Sequence, residues 1–147
     1  MNARFVATLT LLLLQCHACF GQVLSSTQAD IAEAVLRNLF ILQPHTNKTV
    51  YCILVNFKDP DDSFLDRFNT HDPPVAKRSE CLETGLRAFK KDQEFRWAGY
   101  DVRDIKVITE TTAEAWGTDD NNLYSFNLTR TNSTWVIDKS TLRLMFD

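Results

Sequence analysis

Apolar residues recur every three or four positions between Thr27 and Leu42 and at every second position in much of the chain beyond, so a helix precedes a β-rich remainder. Ile31, Val35, Leu39 and Leu42 form one stripe, widened by Leu36 and Phe40, while Glu33 and Arg37 make an outward i,i+4 pair. Thr27 is the expected N-cap, with Asp30 near the positive end of the dipole, and Pro44 ends the helix. Thr49 to Phe57 then reads as a strand with Tyr51, Ile53, Val55 and Phe57 on one face and Cys52 and Leu54 on the other. Asp59 caps a short helix whose first position is Pro60 and whose inward residues are Phe64, Leu65 and Phe68. A turn spans Asn69 to Pro74, Val75 to Leu82 reads as a more polar strand, and a loop covers Thr84 to Arg96.

A meander completes the chain, with strands expected over Tyr100 to Glu110, Thr112 to Thr118, Leu123 to Arg130, Ser133 to Asp138 and Leu142 to Phe146. Tyr124, Phe126 and Leu128 alternate cleanly with Ser125, Asn127 and Thr129. Asp119-Asp120-Asn121-Asn122 and Thr131-Asn132-Ser133 supply turns. The prediction is an α+β fold in which the N-terminal helix packs on a curved antiparallel sheet, of NTF2-like or cystatin-like type.

The N-terminus carries its own pattern. Arg4 precedes an apolar run from Phe5 to Leu14, the charge and short hydrophobic core of a secretory signal. A membrane span needs roughly 20 apolar residues, and Gln15, His17, Gly21 and Gln22 interrupt this one. Residues 1–21 are therefore expected to be a signal peptide, with cleavage before Gln22 or, alternatively, after Ala18, leaving a single domain over 22–147. The expected location is secreted, or periplasmic in a bacterium. Gln15 and Cys16 spoil the residues that lipidation of Cys16 or Cys19 requires.

Ten Phe and 3 Trp in a chain that is 44% hydrophobic argue for a packed core over disorder. The whole-chain charge is -3, and loss of Arg4 takes it to about -4, which disfavours nucleic acid as a partner. Of the 4 cysteines, two leave with the signal, and Cys52 and Cys81 remain as a candidate disulfide or as two buried free thiols. Asn47, Asn127 and Asn132 each begin an acceptor sequon for N-glycosylation.

The run Asp59-Pro60-Asp61-Asp62-Ser63-Phe64-Leu65-Asp66-Arg67-Phe68, with Pro73-Pro74-Val75-Ala76-Lys77-Arg78-Ser79-Glu80-Cys81, resembles a pattern shared by small uncharacterised exported proteins. The meander is similar in architecture to NTF2-like domains. That resemblance implies a sheet enclosing a pocket, whereas the exported-protein pattern carries no known catalytic residue.

The candidate chemistry is sparse. Asp59, Asp61, Asp62 and Asp66 alternate like the start of a calcium loop, but Phe64 stands where that loop needs glycine and Thr70 where it needs glutamate. Helix capping accounts for them, and no metal is assigned. His71-Asp72 is the only adjacent imidazole and acid, a conceivable acid/base dyad, and no Gly-x-Ser-x-Gly elbow occurs. Arg67, Lys77, Arg78, Arg87 and Arg96 are scattered charges expected to face solvent. The Gln-x-Val-x-Gly hairpin of cystatin inhibitors is missing. Trp97, Tyr100, Trp116, Tyr124 and Trp135 are the candidate walls of an apolar cavity inside the sheet. These features point to a secreted, non-enzymatic domain binding a small apolar molecule or a protein partner, with no cofactor and no membrane span. The alternative is an NTF2-like enzyme doing acid/base chemistry in a sheet-lined pocket.

Overall fold

A computed structural model describes residues 23–45, 50–81 and 97–143. The expected signal peptide, Asn47, the loop from Thr84 to Arg96, and Leu144 to Phe146 lie outside them.

Helix α1 spans Ser26–Leu42 and begins earlier than its apolar stripe implies. Ser25 is the N-cap: its side chain accepts from the Gln28 N–H, and the Gln28 side chain reaches back to the Ser25 N–H. This reciprocal box satisfies two orphan backbone donors, whereas a Thr27 cap would answer only one. The helix stops at Gln43, whose N–H still bonds the Leu39 carbonyl, directly before Pro44.

Strands β1 (Val50–Val55), β2 (Val75–Lys77), β3 (Trp97–Val107), β4 (Thr112–Thr118), β5 (Leu123–Thr131) and β6 (Thr134–Arg143) form one sheet in the order β2-β1-β3-β4-β5-β6. The architecture is α+β, and the sheet is mostly antiparallel. The wholly antiparallel expectation is corrected at β1, which runs parallel to both neighbours. Its connection to β2 carries helix α2 (Asp62–Leu65) and a 3-10 turn at Asp66–Phe68, and a parallel neighbour needs a crossover of that length. β2 itself is short, because residues 78–81 turn helical within the span expected as a strand to Leu82.

Two further differences have local causes. Asn56 and Phe57 both take the left-handed backbone (φ 50° and 63°), forming a tight turn closed by Val55 and Lys58, so Phe57 swings out and is 63% exposed. The two last expected strands join into β6 through a bulge, where the register passes from Asn127↔Lys139 to Leu128↔Ile137 and Asp138 accepts a hydrogen bond from Thr129.

The acidic run is divided among local jobs. Asp61, not Asp59, caps α2 and accepts from the Phe64 N–H at 2.9 Å, while Asp59 accepts from the Ser79 N–H and Asp62 pairs with Lys77. Hydrogen bonds from Ser63 and Phe64 hold the Asp61 carboxyl below the usual aspartate range.

The core lies between α1 and one face of the sheet. Strand β4 presents Ala113, Ala115 and Gly117 to the helix, and a Cβ at Gly117 would come within 2.9 Å of both Leu39 and Phe126. These small residues let α1 settle onto the middle of the sheet, where Val35, Leu36 and Leu39 are fully buried. Burial of each such side chain is worth about 1.5–3 kcal/mol. Among the described residues no helix is long and apolar enough to cross a membrane.

Candidate functional site

The five aromatic residues expected to line one cavity are divided between two faces. Tyr100, Tyr124 and Trp135 lie on the α1 side and are 0%, 5% and 4% exposed. The Tyr100 hydroxyl donates to the Gln43 carbonyl at 2.8 Å, and Gln43 Nε2 donates to the Tyr124 hydroxyl at 2.9 Å, so both rings are tied to the end of the helix that covers them. Burial, with the Tyr51 hydroxyl next to it, pushes the Tyr100 phenol far above the ordinary tyrosine range. Trp116 points the other way, in register with Arg103 and Ser125. Trp97 lies three residues before Tyr100 in β3 and therefore on the opposite face, under the Arg78 guanidinium at 4.6 Å. That guanidinium lies so close to Gly99 that a Cβ there has no room.

Cys52 and Cys81 are joined as a disulfide with a Cα–Cα distance of 6.2 Å, and both are buried. Asn127 is exposed on the sheet face away from α1, and Asn132 is exposed at the β5–β6 turn.

The face away from α1 also carries Asp101, only 7% exposed, whose Oδ1 has no hydrogen-bond partner among the described residues. Burial raises its carboxyl above the usual range, against the opposing pull of Arg103. Above the ordinary aspartate range the unfolded chain ionises first, so this group costs stability as pH rises from there through its folded value. Asp101→Asn should therefore raise the melting temperature at neutral pH, and the gap between variant and wild type should close as pH falls to about 3.8. Melting curves taken across that range check it. A variant less stable than wild type at neutral pH would contradict this account of the buried carboxyl.

A different set of residues forms a groove of about 390 Å³ at the C-terminal end of α1. Its walls are Phe40, Ile41 and Pro44 from the helix end, Tyr51 from β1, and His71 and Pro73 from the loop before β2, with Arg37 and Asp72 adding two charges at its edge. Phe40 holds the walls together, with ring centroids 4.9 Å from Tyr51, 4.8 Å from His71 and 6.0 Å from Phe68. Ile41, one position on, turns away from the sheet and is 75% exposed. An ion-pair lattice fixes α1 against the segment leading to His71. Arg67 bonds both Asp30 (2.8 Å) and Glu33 (2.9 Å), and Arg37 bonds Glu33 and the Arg67 carbonyl while lying over Phe68.

The imidazole in this groove has a defined orientation. His71 Nδ1 lies 2.7 Å from the Pro73 carbonyl, across a cis Asp72-Pro73 bond. A carbonyl can only accept, so Nδ1 carries the proton and Nε2 keeps its lone pair. The conceivable His71-Asp72 dyad does not form at Nδ1, where this backbone contact stands instead, and Asp72 is exposed. Elsewhere among the described residues, one hollow of mixed lining lies between Asp30, Glu33 and Arg37 of α1 and Trp135 of β6, and a more polar one is lined by Glu114, Lys139 and Arg143.

His71 apart, the groove residues do not stand out as a site in the sequence. The signal present there is Phe40-Ile41-Leu42, three consecutive apolar residues at a helix end, of which one stripe can bury only part. No known protein family, curated protein or solved structure matches the chain.

Proposed function

We propose that the chain is a secreted, non-enzymatic binding domain that takes a small apolar ligand in the groove between α1, β1 and the His71 loop. The observation that carries this reading is the groove itself. Its volume of about 390 Å³ lies within the range of small-molecule sites, and its largely apolar surface is edged by the polar groups of Arg37, Tyr51, His71 and Asp72. The sheet's inner face offers a ligand less, since α1 already covers Tyr100, Tyr124 and Trp135. Secretion draws support from the apolar N-terminal run and from the Cys52–Cys81 bond. The exposed Asn127 and Asn132 suit glycosylation in a eukaryotic host. The NTF2-like or cystatin-like kinship is supported by one long helix lying across an antiparallel meander.

The second reading, acid/base catalysis by His71, draws on the free Nε2 lone pair. A backbone carbonyl orients that ring, however, and lends it no charge.

Titration with 1-naphthol, followed by NMR of the methyl groups, tests the first reading. The Ile41 methyls should shift, and Ile41→Glu, at a position already 75% exposed, should weaken binding at least tenfold, about 1.4 kcal/mol, without unfolding the chain. Shifts centred elsewhere, or no binding at about 1 mM, would refute it.

A further inference from the structure

We infer that the groove selects ligands that donate a hydrogen bond, meaning aromatic or alicyclic alcohols and N–H heterocycles, and that His71 Nε2 is the atom that receives it. This rests on the groove being the binding site.

Supply and demand among the polar atoms set this preference. The Pro73 carbonyl fixes the proton on Nδ1, so the neutral ring has one remaining polar function, an acceptor. Nothing among the described residues donates to Nε2. The ring is held against other rings, Phe40 at 4.8 Å and Tyr51 at 5.6 Å, so it cannot turn without breaking both the packing and the Pro73 contact. The neighbouring polar groups do not supply a competing acceptor of the same kind. Arg37, from α1, also lines the groove but has only donors, two of them bonded to Glu33 and the Arg67 carbonyl, so it supplies no acceptor. Tyr51, from β1, has its hydroxyl engaged by the His45 N–H at 3.1 Å. Asp72, from the same loop, also lines the groove, but it is exposed and its carboxylate keeps its water, so leaving it without a ligand donor costs nothing. A ligand burying its apolar body against Phe40 and Ile41 therefore leaves Nε2 unsatisfied unless it brings a donor, and an unpaired buried acceptor is penalised.

The test compares 1-naphthol with 1-methoxynaphthalene, which share the ring system and differ in the donor. 1-Naphthol should bind about threefold to tenfold more tightly. His71→Phe, which keeps a ring against Phe40 and Tyr51, should abolish the preference. The comparison of the two ligands uses the unaltered protein, so a poorly folding variant cannot hide the answer. Equal affinities for the unaltered protein, or a preference that survives in a folded His71→Phe variant, overturn the donor inference while leaving the groove in place. Failure of both probes to bind overturns the groove reading itself.

Discussion

Replacing Cys52 and Cys81 together with alanine is expected to lower the unfolding free energy by about 3–4 kcal/mol, the chain-entropy value for a loop of roughly 30 residues. The two cysteines are 29 residues apart, and the loop they close contains the whole crossover from β1 to β2. The far end of that crossover is otherwise lightly held: β2 has 3 residues, sits at the sheet edge and pairs only with β1, and its remaining ties are the Asp62–Lys77 pair and the bond from Ser79 to Asp59. For a domain whose total stability is about 5–15 kcal/mol, the loss is a large share. It should also be uneven. Hydrogen exchange should accelerate first at Val75–Lys77 and in the His71 loop, and least in β4 and β5, which are paired on both sides. Because the His71 loop is one wall of the groove, the double variant should bind 1-naphthol more weakly even while folded. Urea unfolding gives the stability change, and exchange measured by mass spectrometry gives its distribution. A double alanine variant as stable as wild type would mean that the β1–β2 crossover is held by its ion pairs and capping bonds without help from the covalent link.

What the sequence disclosed and what it withheld divide along physical lines. Spacing specifies which residues of one element share a face, so the α1 stripe as far as Phe40, the alternation of Tyr124, Phe126 and Leu128, and the bounds of β4 are legible from the chain alone, while Leu42, expected in the stripe, is exposed at the helix end. Spacing does not specify strand direction. A half-buried strand alternates identically whether its neighbour runs with it or against it, and the parallel placement of β1 depends on the long crossover after it. The side on which Phe57 falls depends on the left-handed turn it shares with Asn56, which alternation alone cannot register. The groove is hidden for the same reason as the parallel strand. Phe40, Tyr51 and His71 meet only because β1 lies alongside β2 and brings the loop preceding β2 beneath the end of α1. The division of the aromatic set, by contrast, is legible in part. Trp97 and Tyr100 are three apart, so once both belong to β3 they cannot face the same cavity.

Tyr100→Ala should cost about 3–5 kcal/mol, the range for removing a large ring from a sealed core. The side chain is fully buried, with its ring 4.8 Å from Phe40 and 5.0 Å from Tyr51, and its hydroxyl donates to the carbonyl at the C-terminal cap of α1. Tyr100→Phe keeps the ring and removes only the hydroxyl, so it should cost about 0.5–1.5 kcal/mol through the lost bond to Gln43. The difference between the two variants measures packing separately from hydrogen bonding. The position also decides between two roles for the aromatic set. A residue lining an open cavity tolerates truncation and changes ligand affinity, whereas a residue sealed under α1 changes stability first. Trp116, partly exposed on the opposite face, is the internal comparison: Trp116→Ala should cost clearly less than Tyr100→Ala in the same urea titration. If Tyr100→Ala instead melted with the wild type and altered binding of an apolar probe, the inner face of the sheet would have to be open to ligands, and α1 would be a lid on that cavity instead of the roof of a core.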